Sequence, residues 1–263
     1  MIKRKFGIDW DEPSALNDIL CSRFDFRKQN RPGGLPYRLF VPDRNNGMRY
    51  PLVIFLHGAD AYGDDNVTPL EIHDIGTCFS RDEWQKKHPC YIAAPQIKAG
   101  GHWAHPVDDN NVCLMINELC SEFTDIDRER IYIYGYSAGG VGVLGLLKTH
   151  PEIFAAAVSI CGATNQDNLD NLAEVPLWLA HAEDDEIVRC TYRTGDRSTQ
   201  VWYGSRDINE YFHNRLANLH YTEYPTGYMK SRYGVNPHCS WVALAEDDNI
   251  KEWLFGNKKK EYH

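Results

Sequence analysis

The chain contains no apolar run near the roughly 20 residues a membrane-spanning helix requires, so none is expected. It has no surplus of positive charge either. Its 28 Lys and Arg stand against 37 Asp and Glu, a net charge of −9, and this excludes the basic face that nucleic acid or an anionic membrane would need. None of its eight cysteines forms a Cys-x-x-Cys pair, and several fall inside apolar patterns. They read as reduced, buried thiols of a cytoplasmic protein. No hydrophobic region follows the basic start Met1-Ile2-Lys3-Arg4-Lys5, so no signal peptide is expected. Repeats, low-complexity tracts and linkers are also missing. A chain of 263 residues without them reads as one domain, with residues 1–34 as a polar N-terminal extension and 257–263 as a charged tail.

The most informative segment present is Ile131-Tyr132-Ile133-Tyr134-Gly135-Tyr136-Ser137-Ala138-Gly139-Gly140. Four β-branched and aromatic residues predict a buried strand. A Gly-x-Ser-x-Gly turn follows, and Val141 to Lys148 then read as a helix. Strand, sharp turn and helix together are the context of a nucleophile elbow, which lifts the serine hydroxyl above the sheet edge. A turn this tight leaves room only for small residues around Ser137.

Leu35–Pro42 alternates like an early, partly exposed strand. Apolar runs predict buried strands at Pro51–Leu56, Tyr91–Pro95, Ala155–Cys161 and Pro176–Ala180, and Tyr221–Tyr224 reads as a final strand near the edge. Helices are expected near Ser80–Lys87, over Asn111–Phe123, from Ile208 to Leu219 and from Trp241 to Phe255. Buried strands alternating with helices imply a mostly parallel sheet covered on both faces, an α/β architecture. Ligands gather at the C-terminal ends of such strands. There the acidic loop His181-Ala182-Glu183-Asp184-Asp185-Glu186 offers a carboxylate to orient a histidine. Of the later histidines, His213 falls on a predicted helix, His220 at a strand start and His263 on the tail. His238, in a loop before the last helix, is the candidate base. An oxyanion hole needs two backbone N–H donors; Ala138, after the serine, and Ala59, after His57-Gly58, are the candidates. His57 itself ends a buried strand and is expected to hold that loop.

Here a resemblance becomes specific. Residues 50–66, 88–96, 126–132, the elbow and 151–158 resemble α/β-hydrolase esterases of the "predicted peptidase" group, close to polyhydroxybutyrate depolymerase-like, feruloyl-esterase-like and dienelactone-hydrolase-like enzymes. The segments keep their order over roughly residues 35–255. The resemblance implies an α/β-hydrolase fold without a separate large cap domain. It places the acid on Asp185 through a His-Gly-x-x-Asp-x-x-Val pattern, from which the chain departs at Ala182. It also marks Cys190 to Gly204 as an insertion. What it implies chemically is a serine carboxylic-ester hydrolase using Ser137, His238 and Asp185 through an acyl-enzyme, with no metal or organic cofactor. The alternatives are a serine peptidase or amidase, and an inactive binding module. Trp103, Trp202, Tyr203, Tyr228 and Tyr233 lie in loops expected at the same sheet edge. Aromatic faces there suit small or carbohydrate-linked acetyl or feruloyl esters, although the same residues could equally pack long loops onto the body. The composition leaves the oligomeric state open.

Overall fold

A computed structural model describes residues 9–44, 47–192, 202–213 and 215–259. Its strands are β1 (Asp25–Lys28), β2 (Pro36–Phe40), β3 (Tyr50–Leu56), β4 (Tyr91–Pro95), β5 (Ile126–Tyr136), β6 (Ala156–Ile160), β7 (Ala163–Asn165), β8 (Leu177–Ala182), β9 (Trp202–Gly204) and β10 (Leu219–Tyr224). Eight of them form one sheet in the order β1-β2-β4-β3-β5-β6-β8-β10. The pairings from β4 to β10 are parallel, and β1 and β2 add an antiparallel edge. β7 and β9 make a separate two-stranded ribbon.

Alternation along the strands divides the core into two layers. Leu52, Ile54 and Leu56 of β3 pack with Ile131 and Ile133 of β5 against helices Pro106–Glu122 and Ala138–Thr149. Val53 and Phe55 point the other way, joining Tyr132, Tyr134 and Tyr136 beneath helices Asp82–Lys87, Trp241–Glu246 and Asp248–Phe255. Every β3 residue is buried, which is why that run reads as apolar without a period. The helix Pro106–Glu122 begins earlier than its apolar spacing implies, because Pro106 opens it and the His105 side chain accepts from the Val107 N–H. Conversely, the expected helix from Ile208 to Leu219 stops at Tyr211, as Leu219 is taken into β10. The closing helix is two pieces. Asp247 separates them, its carboxylate accepting the N–H groups of Asn249 and Ile250.

All eight cysteines are free and buried. No helix among the described residues is long and apolar enough to cross a membrane. The polar first 34 residues contain a short helix, Ala15–Cys21, and β1. Residues 193–201 of the expected insertion, 1–8 of the extension and 260–263 of the tail, His263 included, lie outside the described residues. The two ends of the insertion meet on Asp207, whose carboxylate accepts from the Thr191 hydroxyl (2.7 Å) and the N–H groups of Tyr192 (2.7 Å) and Gly204 (3.0 Å).

Candidate active site

β5 ends at Tyr136 and helix Ala138–Thr149 starts two residues later, so Ser137 alone makes the turn. Its backbone takes φ 53°, ψ −120°, a conformation a non-glycine residue adopts only when its surroundings impose it. Those surroundings are close. A Cβ on Gly139 would meet the Leu56 carbonyl oxygen at 1.9 Å, so the helix start touches the end of β3 through the missing side chain. The Ser137 N–H is held by the Ile160 carbonyl at 2.9 Å and reaches Cys161 Sγ at 3.3 Å.

Across this turn the structure brings His238 to Ser137, with Nε2 2.9 Å from Oγ. His238 Nδ1 lies 2.7 Å from Asp185 Oδ2. An ionised carboxylate only accepts, so Nδ1 carries the proton and, in the neutral ring, Nε2 accepts from the serine hydroxyl. Asp185 receives three more donors: His181 Nε2 at 3.2 Å on Oδ2, and the N–H groups of Ile187 (2.9 Å) and Val188 (3.1 Å) on Oδ1. Burial by itself would raise the Asp185 pKa, but the hydrogen bonds from His181 and His238 outweigh it and hold the group well below the usual carboxylate range. Its neighbour Asp184 turns elsewhere, accepting the Gly227 N–H at 2.8 Å. Ala182 is the last residue of β8, paired with Tyr224, extended backbone that accepts alanine as readily as glycine.

Ala138 is the first residue of its helix, and Ala59 opens the short turn Ala59–Ala61 after β3. His57 is fully buried beneath that turn. Its Nδ1–H donates to the Gly58 carbonyl at 2.7 Å and its Nε2 accepts the Ile97 N–H at 3.3 Å. Burial lowers its pKa to about 4, so the ring is neutral. Asp60 is held by the Tyr136 hydroxyl at 2.8 Å and by His73 Nε2 at 2.7 Å. A cavity of about 290 Å³ opens over this ensemble, lined by Trp10, Ala59, Asp60, Tyr136, Ser137, Ile187 and His238. Among the described residues, one group of side chains is spaced to hold a metal: Cys161, Asp185 and His238. Two of its ligand atoms are already paired with each other, and burial pushes the Cys161 thiol far up.

Comparison with known proteins agrees with the fold. Residues 107–193 match the prolyl oligopeptidase family. The chain superposes on a thermostable esterase with a TM-score of 0.80 and 32% identity, covering 91% of this chain and 64% of that one. Poly(3-hydroxyalkanoate) depolymerase C of Paucimonas lemoignei is 26% identical over 148 residues, half of this chain and 32% of that protein. An acylaminoacyl peptidase of Pyrococcus horikoshii shares the fold at 16% identity and a TM-score of 0.62, over 95% of this chain and 45% of that one. The chain has the α/β-hydrolase fold. It spans less than two thirds of the length of these relatives.

Within this fold the aromatic residues expected at the site do not converge on the cavity. Trp103 is a core residue, fully buried, donating from Nε1 to the His57 carbonyl at 3.0 Å. Gly142 makes room for it, since a Cβ there would lie 2.3 Å from the Trp103 Cβ. Its expected place against substrate is therefore corrected. Trp202 and Tyr203 sit on β9, paired with β7, and do not line the cavity. Tyr228 stacks on Tyr224 and meets Tyr233 edge-on; neither lines the cavity. Several residues at the site carry no role in the sequence pattern, His181 and Trp10 among them. His181 stands four positions before Asp185, in the same strand-to-loop segment, and that spacing was its available signal. Trp10 lies in the polar extension, where no periodicity singles it out.

Proposed function

We propose that the protein is a serine carboxylic-ester hydrolase. The observation that carries this reading is the line of contacts from Asp185 through His238 to Ser137, at 2.7 Å and 2.9 Å. Ser137 Oγ attacks the ester carbonyl carbon while its proton passes to His238 Nε2. Negative charge develops on the carbonyl oxygen, which the backbone N–H groups of Ala59 and Ala138 stabilise. The tetrahedral intermediate collapses, the C–O bond to the alcohol breaks, and His238 returns the proton to the leaving oxygen. Water then repeats the sequence on the acyl-enzyme, releasing the acid and restoring Ser137. Asp185 fixes the orientation and tautomer of the His238 ring. The mechanism needs no metal or organic cofactor.

Small-molecule esters are the substrate class this reading supports, with acetylated or feruloylated sugars as the finer proposal. The 32% identity to a thermostable esterase favours esters. The match of residues 107–193 to the prolyl oligopeptidase family favours a second reading as a peptidase, but it covers only the stretch from helix Pro106–Glu122 to just past the Asp185 loop. A panel of p-nitrophenyl esters, acetylated and feruloylated sugars and peptide p-nitroanilides, run on wild type and Ser137→Ala, tests both. Ester turnover should fall on the order of 10⁴-fold in Ser137→Ala with the fold retained. Anilide turnover exceeding ester turnover would favour the peptidase, and a Ser137→Ala rate within tenfold of wild type would overturn the mechanism.

A further inference from the structure

Residues 9–11 are built into the site by contacts with four separate parts of the chain. The Asp9 carbonyl accepts the Asn236 N–H at 2.8 Å, two residues before His238, and its carboxylate pairs with Lys230 at 2.8 Å. Asp11 accepts from Trp241 Nε1 at 3.0 Å and forms an ion pair with His73 Nδ1 at 2.8 Å. His73 in turn holds Asp60, beside Ala59. Between Asp9 and Asp11, the Trp10 ring stacks on Trp241 (centroids 5.7 Å apart) and meets His238 edge-on at 6.2 Å. Trp10 also lines the cavity.

This position has a chemical consequence, resting on the ester-hydrolase reading above. His238 Nε2 must hand its proton to the leaving alcohol oxygen, so the alcohol group departs along the His238 side of the cavity. The wall on that side is an indole, with Ile187 and Tyr136 completing an apolar lining. We propose that Trp10 is the residue that selects the alcohol portion of the ester, favouring flat apolar or aromatic alcohols, and that the Asp11–His73–Asp60 chain keeps it in register with the oxyanion turn. Aromatic contact rewards a ring against the indole face and does nothing for a methyl group.

Two ester series separate this role from a structural one. The first varies the alcohol at constant acyl group: methyl, benzyl and naphthylmethyl acetate. The second varies the acyl group at constant alcohol: p-nitrophenyl acetate, butyrate and octanoate. Trp10→Ala should lower the benzyl-to-methyl ratio of kcat/KM about tenfold, with the ratios along the acyl series unchanged. Trp10→Phe should restore most of the preference, and Asp11→Asn should give an intermediate loss. Should Trp10→Ala not fold, the other two variants carry the test. An unchanged alcohol ratio in a folded variant overturns the proposal, as does an equal loss along both series. A wild-type protein that turns over none of these esters overturns the ester-hydrolase reading itself, and this inference with it.

Discussion

Two clusters, each with a buried residue at its centre, stand side by side at the site, and they invert one another. In one, a carboxylate sits between two histidines: His181, Asp185 and His238. In the other, a histidine sits between two carboxylates: Asp11, His73 and Asp60. The second arrangement fixes a proton. Burial pulls the His73 pKa down, yet the carboxylates of Asp11 and Asp60, each within 2.8 Å of a ring nitrogen, prevail and raise it to about 9, so the imidazolium persists at neutral pH. Neither of its neighbours has a proton to exchange. The first arrangement leaves a proton free to move. His238 meets a carboxylate at one nitrogen but a hydroxyl at the other, and a hydroxyl can give its proton up. On the proposed reading, the same residue types make a structural clamp or an acid–base relay, according to what occupies the second nitrogen.

The largest expected effect is within the relay. Asp185→Asn should cut kcat on p-nitrophenyl acetate about 10⁴-fold, since the amide favours the wrong His238 tautomer, while Asp184→Asn should cost less than about tenfold because its carboxylate only holds the Gly227 N–H. Equal losses would erase the distinction between the two neighbours. Smaller, but sharper for the comparison, is the outer histidine. His181→Leu should lower kcat about 10- to 100-fold by releasing Asp185 from one of its anchors, with His181→Gln recovering part of the loss. Steady-state kinetics on both variants checks this, and a fully active His181→Leu would reduce the cluster to His238 and Asp185 alone.

The smallest effect on turnover, and the plainest on stability, belongs to the clamp. A pKa raised from 6.5 to about 9 on folding contributes stability that is complete below about pH 6.5 and is lost as pH rises through about 9, at most about 3 kcal/mol. Urea unfolding of wild type should therefore weaken between about pH 7 and 10, and His73→Gln should flatten that slope. The opposite sign applies to Asp185. Its depressed pKa contributes stability above about pH 4 that is lost as pH falls. Parallel slopes for wild type and His73→Gln would show that the clamp holds no charge.

What could be read from the sequence followed from how local each signal is. The elbow is legible because eighteen consecutive residues, Ile131 to Lys148, spell strand, turn and helix. His238 stands out once the helices and strands claim the other histidines, and Asp185 needs the register that the family resemblance supplies. The Asp11–His73–Asp60 clamp joins residues 13 to 62 positions apart, from an extension, a loop and a short turn, and no period or motif links them. Its first partner lies in a polar stretch whose described residues hold a seven-residue helix and a four-residue strand, too short for periodicity to register. Trp103 misled for a related reason. Loop residues read as surface, but Gly142 on the facing helix opens a socket that buries it.

The central claim is that Ser137 is the nucleophile and that His238 activates it. Labelling the intact protein with a fluorophosphonate and mapping the modified peptide by mass spectrometry tests this most directly. The label should fall on Ser137 in the peptide containing Gly135-Tyr136-Ser137, vanish in Ser137→Ala, and slow by at least about 10³-fold in His238→Ala. A label on any other residue, or undiminished labelling of Ser137→Ala, would contradict it.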